Sequence, residues 1–271
     1  MKNIKYLGLF LLIVFTFIYT DKVISVINNN DDIMLEIKEQ AKYYKIDPID
    51  AIIVDDTVIP GINGKEVDII KSYYNMKNSK IYNPEALKYR TIYPKNSLKN
   101  NFNKFIIQGN NKKKNVSIVY ILNNNMGDML NRISSKYVIN IFIDYNYLEN
   151  NINELSKLNN YEIYNYGDNG YYNQENILLG NNIINNKAQN KSIYCLCIDK
   201  NIDTLNNCYG NKLGTITPTI NGGYLDVKAN IQNGSIILIN NLSELSNISN
   251  YIINKGYNIV GLSKLLSEDI D

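Results

Sequence analysis

The sequence predicts an α/β fold with a parallel, fully covered sheet, and three observations carry that prediction. From Val116 onward, seven short runs of strand character alternate with stretches of helical periodicity. The best-defined run, GSIILINN (234–241), reads as a buried strand that stops abruptly at two amides. The last helical stretch, Ser243–Lys255, ends at Gly256, a residue suited to the left-handed position just past a helix. Closure of such a sheet into a (β/α) barrel follows the same grammar, with the working site where the strands end.

Taken in order, the chain opens with Lys2 and Lys5 ahead of an apolar run from Tyr6 to Tyr19. No small residues mark a cleavage site after the run, so residues 1–27 read as an uncleaved signal-anchor. That reading expects a single-pass protein of the cell membrane, tethered through an N-terminal helix, with the bulk of the chain extracellular. Asp31 to Tyr44 carries Ile33, Ile37, Ala41 and Tyr44 at helical spacing behind an acidic start, and Asp47-Pro48 breaks it. Residues 28–110 are therefore expected to hold a stalk helix and a small irregular α+β segment, cut by turn signals such as Ile59-Pro60-Gly61 and Asn63-Gly64. Lys112-Lys113-Lys114 reads as a solvated basic turn.

The expected strands are Val116–Leu122, Val138–Asp144, Tyr161–Tyr166, Ser192–Cys197, Leu213–Thr217, Ser235–Ile239 and Asn258–Val260. Helices are expected at Asp128–Lys136, Asn146–Lys157, Glu175–Lys187 and Ser243–Lys255.

Charge nearly cancels, 28 basic against 26 acidic residues, which gives no field for nucleic acid. The chain has 23 Tyr but no Trp and no His. Tyr and Asn suit sugar recognition, yet the same bias follows from AT-rich coding, and composition cannot separate the two. Cys195, Cys197 and Cys208 are a poor zinc set without His. In an exported chain one disulfide is expected, Cys195 with Cys208, leaving Cys197 over. Cys197–Cys208 is the competitor, and three reduced buried thiols the remaining possibility.

Five stretches in order resemble the NodB-type polysaccharide deacetylases, over about Val116 to Glu268 (domain 115–268). Ile121-Leu122-Asn123-Asn124-Asn125 stands where that family has T-F-D-D-G, and Asn140-Ile141-Phe142-Ile143-Asp144 where it has a strand like T-F-F-V. Asn160 to Gly170 replaces G-H-E-I-G-N-H-S-x-x-H, and Gly234 to Asn240 replaces G-S-I-I-L-x-H. Lys255 to Leu266, KGYNIVGLSKLL, is similar to the family's closing K-G-Y-x-F-V-x-L-S-x-L-L.

The resemblance implies a distorted (β/α) barrel of about seven strands. It also implies that each position of the chemistry has been replaced. Asn123 stands at the general base, Asn124, Tyr166 and Gly170 at the metal ligands, and Asn240 at the general acid. Metal coordination can lower the pKa of water by about nine units, on the order of 12 kcal/mol of activation. An amide neither titrates near neutrality nor competes for zinc-like ions.

The expectation is thus a catalytically degenerate domain, with no catalytic residue, no metal and no cofactor. It would bind or scaffold envelope polysaccharide or peptidoglycan through Asn123, Asn124, Tyr166, Asp168 and Asn240. One alternative is a working deacetylase whose divalent metal is held by a relocated carboxylate pair, Asp144 and Asp168. Against it, Asp144 reads as a helix cap and Asp168 as a turn residue. The other alternative is a protein-interaction module.

Overall fold

The computed structural model describes residues 10, 13–16, 22, 29–124, 126–133, 137–188 and 190–270. In chain order they form α1 (Asp32–Ala41), β1 (Ile52–Val54), β2 (Thr57–Ile59), β3 (Gly64–Val67), α2 (Ile69–Met76), β4 (Tyr89–Ile92) and β5 (Phe105–Ile106). The alternating part follows with β6 (Asn115–Leu122), α3 (Met126–Arg132), β7 (Asn140–Ile143), α4 (Tyr145–Asn150), β8 (Glu162–Asn165) and α5 (Gln174–Lys187). It continues through β9 (Tyr194–Leu196), α6 (Ile202–Gly210), β10 (Gly214–Ile216), β11 (Ile220–Gly222) and α7 (Tyr224–Asn230). The chain closes with β12 (Ile236–Ile239), α8 (Leu245–Asn254), β13 (Asn258–Ile259) and α9 (Leu262–Leu265).

Two compact units result, Met1–Pro48 with Asn63–Tyr93, and Ile49–Ile62 with Pro94–Asp271. In the smaller unit, the Asp31 carboxylate accepts from Ile33 N and caps α1, and the Asp68 carboxylate accepts from Lys71 N and caps α2. Ile33, Met34 and Ile37 of α1 are buried with Tyr73 and Met76 of α2 and with Val67 of the antiparallel β3–β4 hairpin.

The larger unit contains two sheets. One has the order β11-β12-β6-β7-β8, parallel throughout, with β13 beside β6. The other has the order β1-β2-β5-β10-β9, parallel except for the β1–β2 hairpin. Period-two geometry is legible in β12. Ile237 and Ile239 enter a core shared with Ile118, Ile141, Ile163 and the covering helices, while Ile236 and Leu238 enter a second core. That second core also takes Val58, Ile106, Leu196 and Ile216 from the other sheet, so the two sheets enclose it.

All seven expected strands of the alternating part form, whereas β11 and α7 were not expected from the sequence. The strands form two sheets, not one hydrogen-bonded ring, among the described residues. Between β8 and β9 the seam is made by side chains. Asn190 Oδ1 accepts from Ile163 N at 2.8 Å, its Nδ2 donates to Ile163 O at 2.8 Å, and Ser192 Oγ accepts from Asn165 N at 3.0 Å.

The expected single-pass membrane location is corrected. Among the described residues no helix is long and apolar enough to cross a membrane. The apolar run Tyr6–Tyr19 is itself shorter than the roughly 20 residues that a span needs. Most of residues 1–27, on which the anchor was read, lie outside the described residues.

Candidate functional site

Parallel register places the polar strand ends in a row. Asn123 and Asn124 follow β6, Asp144 follows β7, Tyr166 follows β8, Cys197 follows β9, and Asn240 follows β12. Adjacent strands lie about 4.8 Å apart, so from β12 across β6 and β7 to β8 the row spans about 14 Å along the sheet. That is too long for one metal ion and long enough for an extended ligand.

Asn123 and Asn124 are exposed in a bend, and their side chains make no hydrogen bond among the described residues. Asn240 is exposed too, and its Nδ2 donates to Asn221 Oδ1 at 3.3 Å, joining the ends of β12 and β11. Asp168 is exposed and accepts from Asn146 Nδ2 at 2.7 Å, within a turn closed by reciprocal backbone bonds to Tyr171.

Asp144 behaves differently, because it is buried and fully engaged. Its Oδ1 accepts from Asn146 N at 3.0 Å and Tyr147 N at 3.2 Å, capping α4. Its Oδ2 accepts from Asn169 N at 2.7 Å, fixing the loop after β8. Tyr166 is buried beneath that loop. Gly170 has φ +85°, and a Cβ there would lie 2.9 Å from the Tyr166 hydroxyl, so positions 166 and 170 face each other. Burial pushes the Tyr166 phenol up, and the nearby Cys197, Asp144 and Asp199 act in the same direction.

Cys195 and Cys208 form a disulfide with Cα atoms 6.4 Å apart, and Cys197 is free and buried. The two cysteines of the C-x-C pair enter different clusters. Cys195 packs with Tyr172, Ile177 and Leu213, while Cys197 packs with Phe105 and Leu205. Burial pushes the Cys197 thiol up to about 11, with Asp199 adding to the shift and the Asn201 N–H opposing it. At neutral pH both Tyr166 and Cys197 therefore keep their protons.

The divalent metal implied by the resemblance does not fit this donor set. Asn124 offers an amide, Tyr166 a protonated phenol and Gly170 no side chain, while both Asp144 oxygens already accept from backbone N–H groups. Among the described residues no group of three His, Cys, Asp or Glu side chains could hold a metal.

A cavity of about 280 Å³ does open beside the row, lined by Asn169, Tyr171, Asp199, Asn201, Asp203 and Asn207 among others. None of the five residues picked from the sequence lines it, although Asp168 adjoins Asn169 and Tyr166 lies under Gly170. Asp199 to Asn207 escaped the sequence reading because they follow β9, where no motif was matched. The available signal was positional, since they sit just beyond a strand's C-terminal end. Asn201 is recognisable as the cap of α6, accepting from Asp203 N and Thr204 N.

No family model matches the chain, and no curated protein matches it. Among solved structures, it is similar to wild-type BA3943, a CE4 family pseudoenzyme from Bacillus anthracis. The TM-score is 0.61 at 22% identity, over 89% of this chain and 97% of that one. A BA3943 mutant described as having restored enzymatic activity gives a TM-score of 0.64 at 20% identity, over 88% of this chain and 99% of that one. The Bc1960 peptidoglycan N-acetylglucosamine deacetylase gives 0.50 at 15% identity, over 60% of this chain and 94% of that one. The resemblance seen in the motifs thus holds at the level of architecture: the chain has the fold of the CE4, NodB-type polysaccharide deacetylases.

Proposed function

We propose that this chain is a non-catalytic deacetylase-like domain that binds N-acetylated polysaccharide of the cell envelope, peptidoglycan included, along its strand ends. The observation that carries the reading is the engagement of Asp144. As the buried carboxylate at the strand ends, it has both oxygens committed to three backbone N–H groups. It is a structural cap, not a base or a ligand. Around it stand amides, which donate and accept hydrogen bonds as sugar hydroxyl and acetamido groups require. Tyr171, 64% exposed beside the cavity, offers a flat face for a sugar ring. The rim residues are Asn123, Asn124, Asp168 and Asn240, extended by the cavity-lining Asn169 and Asp203, while Tyr166 is buried and supports the rim from beneath Gly170 instead of joining it. The likeness to BA3943, itself described as a pseudoenzyme, supports a fold retained without its chemistry.

The test is calorimetric titration of the full chain with chitotetraose, alongside an acetate-release assay. Saturable binding weakened several-fold by Tyr171→Ala, with no acetate released, is the expected result. Acetate release that is metal-dependent and lost in Asp144→Ala would overturn the reading in favour of an active deacetylase. Absence of any binding would overturn it in favour of an interaction module.

A further inference from the structure

A second groove lies at the opposite end of the parallel sheet, where the strands begin. It has a volume of about 530 Å³ and is lined by Gln108, Asn111, Lys112, Gln232, Asn233 and Tyr257. That volume is within the roughly 300–1,000 Å³ of small-molecule sites. We propose that this groove binds a carboxylate-bearing oligosaccharide, independently of the strand-end site.

The lining is held in place before any ligand arrives. Gln108 Nε2 donates to Asn233 O, Asn233 Nδ2 donates to Asn111 O at 2.8 Å, and Gln232 Nε2 donates to Gln108 Oε1 at 3.5 Å. Beneath them the Gly109 N–H donates to Gly234 O at 2.8 Å. Gly234 has φ +81°, and a side chain there would collide with Gly109 O, so only glycine lets the two segments meet. Asn110 is buried, donates to Pro60 O at 2.8 Å and accepts from Lys112 N at 2.9 Å, which fixes the turn carrying Asn111 and Lys112. Tyr257 is fixed from the next residue, since Asn258 N donates to Lys114 O at 2.8 Å. Pre-organisation of this kind removes part of the ordering cost of binding.

What remains free defines the ligand. Among the described residues, Asn233 Oδ1, Gln232 Oε1 and the Asn111 amide have no partner, so donors and acceptors stand side by side, as vicinal hydroxyls require. Half-buried Tyr257 supplies an aromatic surface for a sugar ring. Among the described residues no carboxylate lines the groove and the Lys112 ammonium has no partner, so an acidic substituent is favoured over a neutral one.

The full chain would be titrated with trigalacturonate and with uncharged chitotriose, monitoring backbone amide shifts and heat. Trigalacturonate should bind and shift the amides of residues 108–112 and 232–233, with affinity falling as salt rises. Tyr257→Ala should weaken it about tenfold or more, and Lys112→Gln should erase the preference for the carboxylated sugar. Tyr171→Ala, at the other end of the sheet, should leave this binding unchanged. Gln232→Ala, at an exposed position, should weaken binding without moving Tm, which separates a groove effect from misfolding. Failure of trigalacturonate to bind at millimolar concentration would overturn the proposal. So would binding that Tyr257→Ala leaves intact and Tyr171→Ala removes, an outcome that leaves the strand-end reading standing.

Discussion

Asp144 is offered by the sequence both as a helix cap and as a ligand of a relocated metal site, and in the fold its carboxylate serves as the cap of α4. Asp144→Ala would remove a helix cap and leave the Asn169 N–H without its acceptor. The cap alone is worth about 1 kcal/mol, and the orphaned N–H adds about 1–3 kcal/mol. A chain of this size loses roughly 2–4 °C of Tm per kcal/mol, so a fall of about 4–16 °C is expected by thermal denaturation. An unchanged Tm would show that the carboxylate is not serving as this cap.

Cys197 makes a second prediction with a definite sign. Unfolded, the thiol titrates near about 8.5; folded, burial holds its proton up to about 11. Between those values the unfolded chain binds fewer protons than the native one, so stability falls as pH rises through this window and is unaffected below it. Denaturant melts at pH 8 and 10 should differ in wild type by more than in Cys197→Ala. Equal differences would remove the thiol as the cause. At this scale the sequence revealed identity without geometry. The replaced motif positions were legible, but the cavity between Asn169 and Asn207 comes from two segments, Asn169–Tyr172 and Asp199–Asn207, that no local pattern links.

At the scale of elements, strands and helices were legible wherever a long apolar run set the period. β6, β7 and β12 are buried almost throughout, and their sequences NVSIVYIL, NIFI and IILI say so directly. β11 is three residues, Ile-Asn-Gly, with a burial pattern that falls away from its first residue, and so carries no period to read. The seam between β8 and β9 was illegible for another reason. There Asn190, a loop residue, presents an amide that imitates a strand's N–H and C=O. Each of its two bonds to Ile163 contributes about 0.5–1.5 kcal/mol net. Asn190→Ala should therefore destabilise the chain by about 1–3 kcal/mol. Asn190→Asp should do no better, since its carboxylate keeps the bond from Ile163 N but faces Ile163 O without a proton to give. If hydrogen exchange at Ile163 and Asn165 is no faster in Asn190→Ala than in wild type, the seam is held by packing alone.

On the proposed non-catalytic reading, the question for the whole molecule is whether the missing chemistry lies in a few side chains or in the scaffold. Positions 166 and 170 face each other across the Cβ-to-hydroxyl separation of 2.9 Å, near enough for one ion to bridge two ligands placed there. Replacing Tyr166 by the shorter His makes room, and His at position 170 carries a backbone cost of about 1–3 kcal/mol for its positive φ. A metal present at 100 times its dissociation constant returns about 2.7 kcal/mol, comparable to that strain. The combined variant Asn123→Asp, Asn124→Asp, Tyr166→His, Gly170→His and Asn240→His should therefore fold with a lowered Tm and recover about 5–10 °C on adding Zn²⁺. The wild type should show no such shift, and a chelator should reverse it in the variant. Acetate release from chito-oligomers by the zinc-loaded variant would locate the degeneracy in those five side chains. A variant that folds, as judged by circular dichroism, yet gains neither the thermal shift nor the activity would place the loss in the backbone around Gly170 and the cap at Asp144. The strand ends would then be committed to holding the loops still, and not to chemistry that five substitutions can restore.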